Sequence, residues 1–331
     1  MRFPFVDGTA KNPPSAPLEL PVPERQKQTD PAGYLMESRL VDAINVALVL
    51  SQPLLLTGEP GTGKTQLAHR LAWELGYGAP LVFNTKSTST ARDLFYTFDT
   101  MGRFHAAQTR EGSSTNLDYM SYNALGLAIL LSRLRADILS VLPPGFVHVG
   151  PRRAVVLIDE IDKAPRDFPN DLLHEVDAMA FRIPQLGNVE VQADRALRPV
   201  LVLTSNSEKN LPDAFLRRCV FFNIPFPGRA RLTEIVQARL SAFRDGTSAL
   251  LDSGLDFFLK VREQNLRKPP STAELINWLQ VMVEHGAPAN QPLKSSRAAM
   301  GKCLSTLAKN KEDVDELAAF VDLYFSRERV D

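Results

Sequence analysis

The segment Gly58-Glu59-Pro60-Gly61-Thr62-Gly63-Lys64-Thr65 constrains this chain more than any other. It follows a short apolar run, Pro53-Leu54-Leu55-Leu56-Thr57, and precedes a stretch from Gln66 to Leu75 that reads as a helix stopped by Gly76. Strand, glycine-rich turn and helix in that order match the pattern G-x-x-x-x-G-K-[ST] without mismatch. Glycines let the backbone turn so that successive amides point inward at phosphate oxygens. The following helix adds its free N-terminal amides and the positive end of its dipole. Lys64 is placed to reach β- and γ-phosphates as a point charge, and the Thr65 hydroxyl to ligate Mg²⁺. Gly58, Glu59, Pro60, Gly61, Thr62, Gly63, Lys64 and Thr65 are therefore the expected nucleotide-binding residues. A glycine turn that held no ligand would have no use for Lys-Thr at its end.

Downstream, Ala154 to Ile158 is continuously apolar, the mark of a strand covered on both faces, and it ends in Asp159-Glu160. Asp159 at the strand tip is expected to share the Mg²⁺ shell with Thr65. Glu160, one residue on, is expected to act as the base that orients an attacking water. The pair points to hydrolysis, because a protein that only bound nucleotide would not need Glu160. A further apolar run, Val200 to Leu203, leads into Thr204-Ser205-Asn206. Asn206 is expected to hydrogen-bond the γ-phosphate or the lytic water. Arg217 and Arg218 then close a short helical turn before the run Val220 to Ile224. An arginine here is placed to reach a neighbouring subunit's γ-phosphate, a contribution typically of about 10³-fold or more in rate. The alternative for either is a surface or interdomain salt bridge, and the sequence leaves open which of the two is the finger.

Leu81 to Asn84 reads as one more strand, and strands alternating with helices argue for a mainly parallel sheet with right-handed crossovers. After Pro225-Phe226-Pro227-Gly228 the pattern becomes purely helical: Arg231 to Phe243, Leu255 to Gln264, Ala273 to Glu284, Arg297 to Leu307 and Val314 to Phe325 carry apolar residues three and four apart. The expected organisation is a proline-rich, extended N-terminal arm over residues 1–31, a nucleotide-binding domain over 32–228, and a smaller helical domain over 229–331. The arm rests on seven prolines, from Pro4 to Pro31, with little apolar periodicity.

Lysine plus arginine equal aspartate plus glutamate at 38 each, so no global positive field attracts nucleic acid. Cys219 and Cys303 have no CxxC partner or nearby histidine pair, which argues against a metal centre and a disulfide framework. The most apolar run, Ala124 to Leu131, falls far short of the roughly 20 residues a membrane span requires. With no signal-peptide core at the N-terminus, no membrane insertion is expected and a cytoplasmic location is.

These motifs, in this order, resemble AAA+ ATPases, and the flanking residues are similar to the MoxR group. Gly33-Tyr34-Leu35, Leu40-Val41-Asp42-Ala43-Ile44-Asn45 and Pro53 to Gly61 resemble that group's approach to the phosphate loop, and Leu157-Ile158-Asp159-Glu160-Ile161-Asp162-Lys163-Ala164 resembles its acidic motif. Members carry a hairpin inserted near the second helix, at about residues 90–110 here, where Asp93 to Asp99 and Gly102-Arg103-Phe104 occupy that place. They carry another before the sensor strand, which Phe181-Arg182-Ile183-Pro184 and Val189-Glu190-Val191 around Gly187-Asn188 fit, at about 181–192. The resemblance spans residues 32 to 285. It implies an α/β fold of the P-loop NTPase kind, a five-stranded parallel sheet between helical layers with an all-helical lid, ATP and Mg²⁺ as cofactors, and homo-oligomeric rings, usually hexamers. It also implies work beside a partner with a von Willebrand factor A domain, as a chaperone for complex assembly or metal insertion. One departure stands out. The group places an arginine in the lid helix after Pro-Ser, whereas Pro270-Ser271-Thr272-Ala273-Glu274 puts Ala273 there, with Arg267 and Lys268 in the preceding loop as substitutes.

The expected function is ATP hydrolysis coupled to remodelling a protein client. A nucleotide-gated assembly platform is the first alternative. A nucleic-acid motor akin to GTP-using restriction subunits is the second, with Arg103 and His105 as candidate grips, and the balanced charge counts against it. A small-molecule kinase would leave Asn206, the paired arginines and the helical C-terminal part without a role.

Overall fold

A computed structural model of the chain describes residues 6, 16–17, 30–109, 115–207, 211–244, 246 and 248–326. The arm expected over residues 1–31 lies almost wholly outside them. The chain divides into two compact units: one comprises Met36–Gly58 and Gly63–Ile224, the other Met1–Leu35, Glu59–Thr62 and Pro225–Asp331.

The first unit is an α/β layer structure. Its elements are α1 (Ser38–Leu50), β1 (Leu54–Thr57), α2 (Lys64–Glu74), β2 (Leu81–Asn84), β3 (Tyr96–Phe98), α3 (Thr100–Thr109), β4 (Met120–Tyr122), α4 (Ala124–Leu131), β5 (Val155–Asp159), α5 (Phe168–Asp171), α6 (Leu173–Ala178), β6 (Ala180–Ile183), β7 (Val189–Gln192), β8 (Val200–Thr204), α7 (Asp213–Leu216) and β9 (Val220–Asn223). In α1 the buried residues Leu40, Ile44 and Ala47 form one stripe, four and three apart. Ser51 ends that helix in the left-handed region, and Pro53, which cannot continue a helix, precedes β1.

Five strands form one parallel sheet in the order β2-β5-β8-β1-β9. The strands β1, β5 and β8 are the continuous apolar runs, and Leu55, Leu56, Val156, Leu157, Ile158 and Val202 are fully buried. Sheets covered on both faces take such runs rather than alternating ones. The register pairs Leu56 with Thr204 and Asn84 with Asp159, so the carboxyl ends of neighbouring strands lie level. Such ends are where open α/β sheets hold their ligands.

Two short antiparallel pairs decorate this sheet. The second, β6 with β7, turns through Gly187 and Asn188, both at positive φ. The first differs from expectation. Its return strand is Met120–Tyr122, while Gly102, Arg103 and Phe104 lie in α3 between the strands. Asp99 starts that helix by accepting from the Gly102 amide at 2.8 Å, as a side-chain oxygen does at a helix N-terminus. Arg103 stays at the insert's base, donating to Asn116 Oδ1 at 3.0 Å and lying 5.9 Å from the Tyr119 ring centroid, while His105 is exposed. The insert is seated by Gly126 of α4, whose Cα meets the Phe95 carbonyl so closely that an added Cβ would lie 2.0 Å from its oxygen.

The second unit is helical, with α8 (Arg229–Arg239), α9 (Ala249–Arg262), α10 (Thr272–Glu284), α11 (Arg297–Cys303) and α12 (Lys311–Ser326). The Phe257 and Trp278 rings lie tilted with centroids 5.7 Å apart in its core, where Phe258, Leu255, Leu279 and Met282 are fully buried. Ser271 opens α10 in a reciprocal cap, its amide donating to Glu274 Oε2 at 2.7 Å. No helix among the described residues is long and apolar enough to cross a membrane.

Candidate nucleotide site

The level ends of β1, β5 and β8 bring together residues far apart in sequence. Gly58 and Gly63 take φ of 139° and 90°, and Gly61 between them takes 76°, values that side-chain-bearing residues rarely adopt. Gly63 caps α2, so the first residues of that helix, Lys64 and Thr65, start where its amides are free. At the crest of the loop the Thr62 hydroxyl donates to the Glu59 carbonyl at 2.9 Å.

Lys64 is 7% exposed, and its ammonium donates to the Gly58 carbonyl at 2.8 Å and to Asn206 Oδ1 at 3.1 Å. A buried lysine costs free energy unless its charge is met, and here it is met by dipoles that phosphate oxygens can join or replace. Thr65 Oγ1 donates to Asp159 Oδ1 at 3.0 Å. Asp159 is also held by Thr204, whose hydroxyl lies 2.5 Å from Oδ1 and accepts from the Glu160 amide at 2.8 Å. Thr204 thus holds the Asp159 carboxylate and the Glu160 backbone. Sequence reasoning quoted that residue without giving it a role; its place at a strand tip beside an acidic strand end was the available signal.

Glu160 sits in the left-handed region at φ 56°, uncommon for a non-glycine residue and a form of strain that clusters at functional sites. Its carboxylate pairs with the Lys163 ammonium one turn on, with both side chains about half exposed. The hydrogen bond that Lys163 donates to Glu160 raises the lysine's pKa. Lys163 also went unassigned in the sequence, where it reads as an ordinary surface residue.

The two arginines separate. Arg218 pairs with Asp177 at 2.9 Å and donates to the Ala214 carbonyl at 2.9 Å. Arg217 is exposed, and its side chain makes no hydrogen bond or ion pair among the described residues. The residue behind them, Cys219, is shielded enough that burial, aided by Asp177, pushes its thiol up to about 12.

The donor set fits a nucleotide with its divalent cation. A hydroxyl and a carboxylate face each other at Thr65 and Asp159, hard oxygen ligands that suit Mg²⁺ when phosphate and water complete the shell. No group of three or more His, Cys, Asp or Glu residues among the described ones forms a metal cage without a substrate.

Residues 53–219 match the family described as "AAA domain (dynein-related subfamily)". Among solved structures the chain is similar to a RuvB variant of Thermotoga maritima at 17% identity, with a TM-score of 0.48 over 86% of this chain and 75% of that one. It is similar also to the Thermotoga maritima RuvB Holliday junction branch migration motor at 16% identity, with a TM-score of 0.46 over 92% of this chain and 77% of that one. No curated protein matches the sequence at a significant level.

Proposed function

The chain belongs to the AAA domain family, in its dynein-related subfamily, and from that premise we propose that it is a Mg²⁺-dependent ATPase of the MoxR type. It works as a homo-oligomeric ring, a hexamer, whose turnover remodels or matures a partner protein complex. The observation that carries the reading is the junction of the phosphate loop with two other strand ends, made by Lys64 to Asn206 and by Thr65 to Asp159.

In this reading Gly58 to Thr65 cradle the triphosphate. Lys64 exchanges its present acceptors for β- and γ-oxygens, and Asn206, released from Lys64, turns its amide to the γ-phosphate or the water. Bound Mg²⁺ supplies charge neutralisation and Lewis acidity toward the phosphate oxygens. Thr65 and Asp159 hold it, and Thr204 keeps Asp159 in orientation. Glu160 takes the proton of the attacking water and requires release from Lys163 to do so. Arg217, whose side chain is without a hydrogen bond or ion pair among the described residues, is the residue we assign to a neighbour's γ-phosphate. Arg218 supports that turn through Asp177; so exposed a pair contributes only about 0–1 kcal/mol, little enough to be remade on assembly.

The client is a protein, for which the resemblance nominates one with a von Willebrand factor A domain. The test is affinity capture with a Glu160→Gln variant, which holds ATP and its client without releasing either. A reproducible protein partner, enriched with ATP and lost with Lys64→Ala, supports remodelling. An ATPase rate indifferent to every captured partner supports an assembly platform instead.

A further inference from the structure

The helical unit includes the crest of the phosphate loop, Glu59–Thr62, and one arginine makes the connection. Arg262, the last residue of α9, lays its guanidinium 3.5 Å from the Phe226 ring centroid and donates through Nη1 to the Pro270 carbonyl. Its Nη2 lies 2.7 Å from Glu59 Oε2. The Arg262 side chain is 14% exposed and that of Glu59 54%, so the arginine is the fixed member and the loop carboxylate the held one. A second contact adjoins it. Gly61 lies so close to Ser271 that an added Cβ would stand 2.5 Å from the serine Cβ. Of the two substitutes expected for the missing lid arginine, Arg267 pairs with Glu312 at 3.6 Å.

A loop that must attract a polyphosphate carries a carboxylate of its own at Glu59, and like charges at such range oppose binding. We propose that Arg262 is a positioning residue for nucleotide binding: it neutralises Glu59 and fixes the loop crest against Ser271, so that the amides face the phosphates. This rests on the nucleotide reading of the loop. Unlike a lid arginine that touches nucleotide, Arg262 acts through the protein's own carboxylate. Stacking and two hydrogen-bond acceptors hold its fork, a set of contacts that lysine cannot copy.

The experiment is calorimetric titration of ADP with Mg²⁺ into wild type, Arg262→Met, Glu59→Gln and the double variant, at low and high salt, with each fold checked by thermal melting. Arg262→Met is expected to weaken ADP binding about tenfold, equivalent to about 1.4 kcal/mol. Glu59→Gln is expected to return the double variant to within about threefold of wild type. The loss should shrink in high salt, which screens exposed charge. A purely structural role for Arg262 would show no rescue, and an undiminished loss in the double variant overturns the proposal. So does an Arg262→Met affinity within about twofold of wild type. Should Arg262→Met fail to fold, Arg262→Gln replaces it in the same cycle and is read by the same limits. Wild type that binds no nucleotide sinks the loop reading itself, whereas wild type that binds without dependence on Arg262 sinks only this inference.

Discussion

Lys64 Nζ donates to Asn206 Oδ1 at 3.1 Å across a sequence separation of 142 residues. The bond is possible because β1 and β8 are hydrogen-bonded neighbours with level ends. It makes the loop lysine and the strand-end asparagine parts of one polar unit.

Asn206→Ala should therefore separate binding from turnover. Lys64 keeps its Gly58 contact, so nucleotide affinity is expected to stay within a few-fold of wild type. Removing one aligned polar group from a reacting centre costs about 10²–10³-fold in rate, and steady-state phosphate release should fall by about 100-fold or more. Equal turnover in the two proteins would take Asn206 out of the chemistry.

The Glu160–Lys163 pair makes two linked predictions. Glu160→Gln keeps the shape and the Thr204 contact of the backbone, so ATP binding persists while hydrolysis drops by about 10²–10⁴-fold. Lys163→Met removes the cation that engages Glu160 and is expected to raise turnover at pH 7–8. Because Glu160 raises the Lys163 pKa above its ordinary 10.5, the ammonium persists throughout that range, and wild-type activity gains no alkaline limb from its loss. A fall in turnover on Lys163→Met would show instead that the lysine aids the reaction.

How much of this was legible beforehand follows from the physics of each part. The strands β1, β5 and β8 announce themselves as apolar runs because both faces are covered, and the loop because phosphate chemistry demands its residues. The return strand β4 does not: three residues are too few for a period, and Asp99 starts a helix where a turn was expected. The first turns of α9 were missed because Ser248 caps it earlier, at Ala249, than its clearest apolar spacing begins. Pairs such as Arg262 with Glu59, 203 residues apart, join two charged residues that each read as surface. No local pattern records such a partnership.

The two arginines should behave differently. Mixed assemblies of Arg217→Ala subunits with Lys64→Ala subunits are expected to recover activity, since each supplies what the other lacks. Arg218→Ala should lose less, its effect arriving through the Asp177 contact. Absence of recovery at every mixing ratio would count against action across a subunit boundary, and a larger loss for Arg218 would exchange the two assignments.

Cys219 gives a readout of the arginine turn. With its thiol pushed up to about 12 by burial, it holds roughly a thousandfold less thiolate at pH 8 than a free cysteine of pKa about 8.5. Burial likewise pushes Cys303 up to about 11. Iodoacetamide at pH 8 should leave both intact in the native protein and label both promptly in guanidinium, with mass spectrometry assigning the sites. Fast native labelling of Cys219 would mean that the segment around Arg217 and Arg218 opens readily.

All of these roles require that the start of α2 hold a nucleotide's phosphates. Calorimetric titration of ATP into wild type and into Lys64→Ala tests it most directly, since backbone amides alone do not balance the triphosphate charge. Affinity in the micromolar range or tighter is expected for wild type and a loss of about 100-fold or more for the variant, with an unchanged melting temperature in the absence of ligand. Equal affinity in the two proteins, or no heat with either, would contradict it.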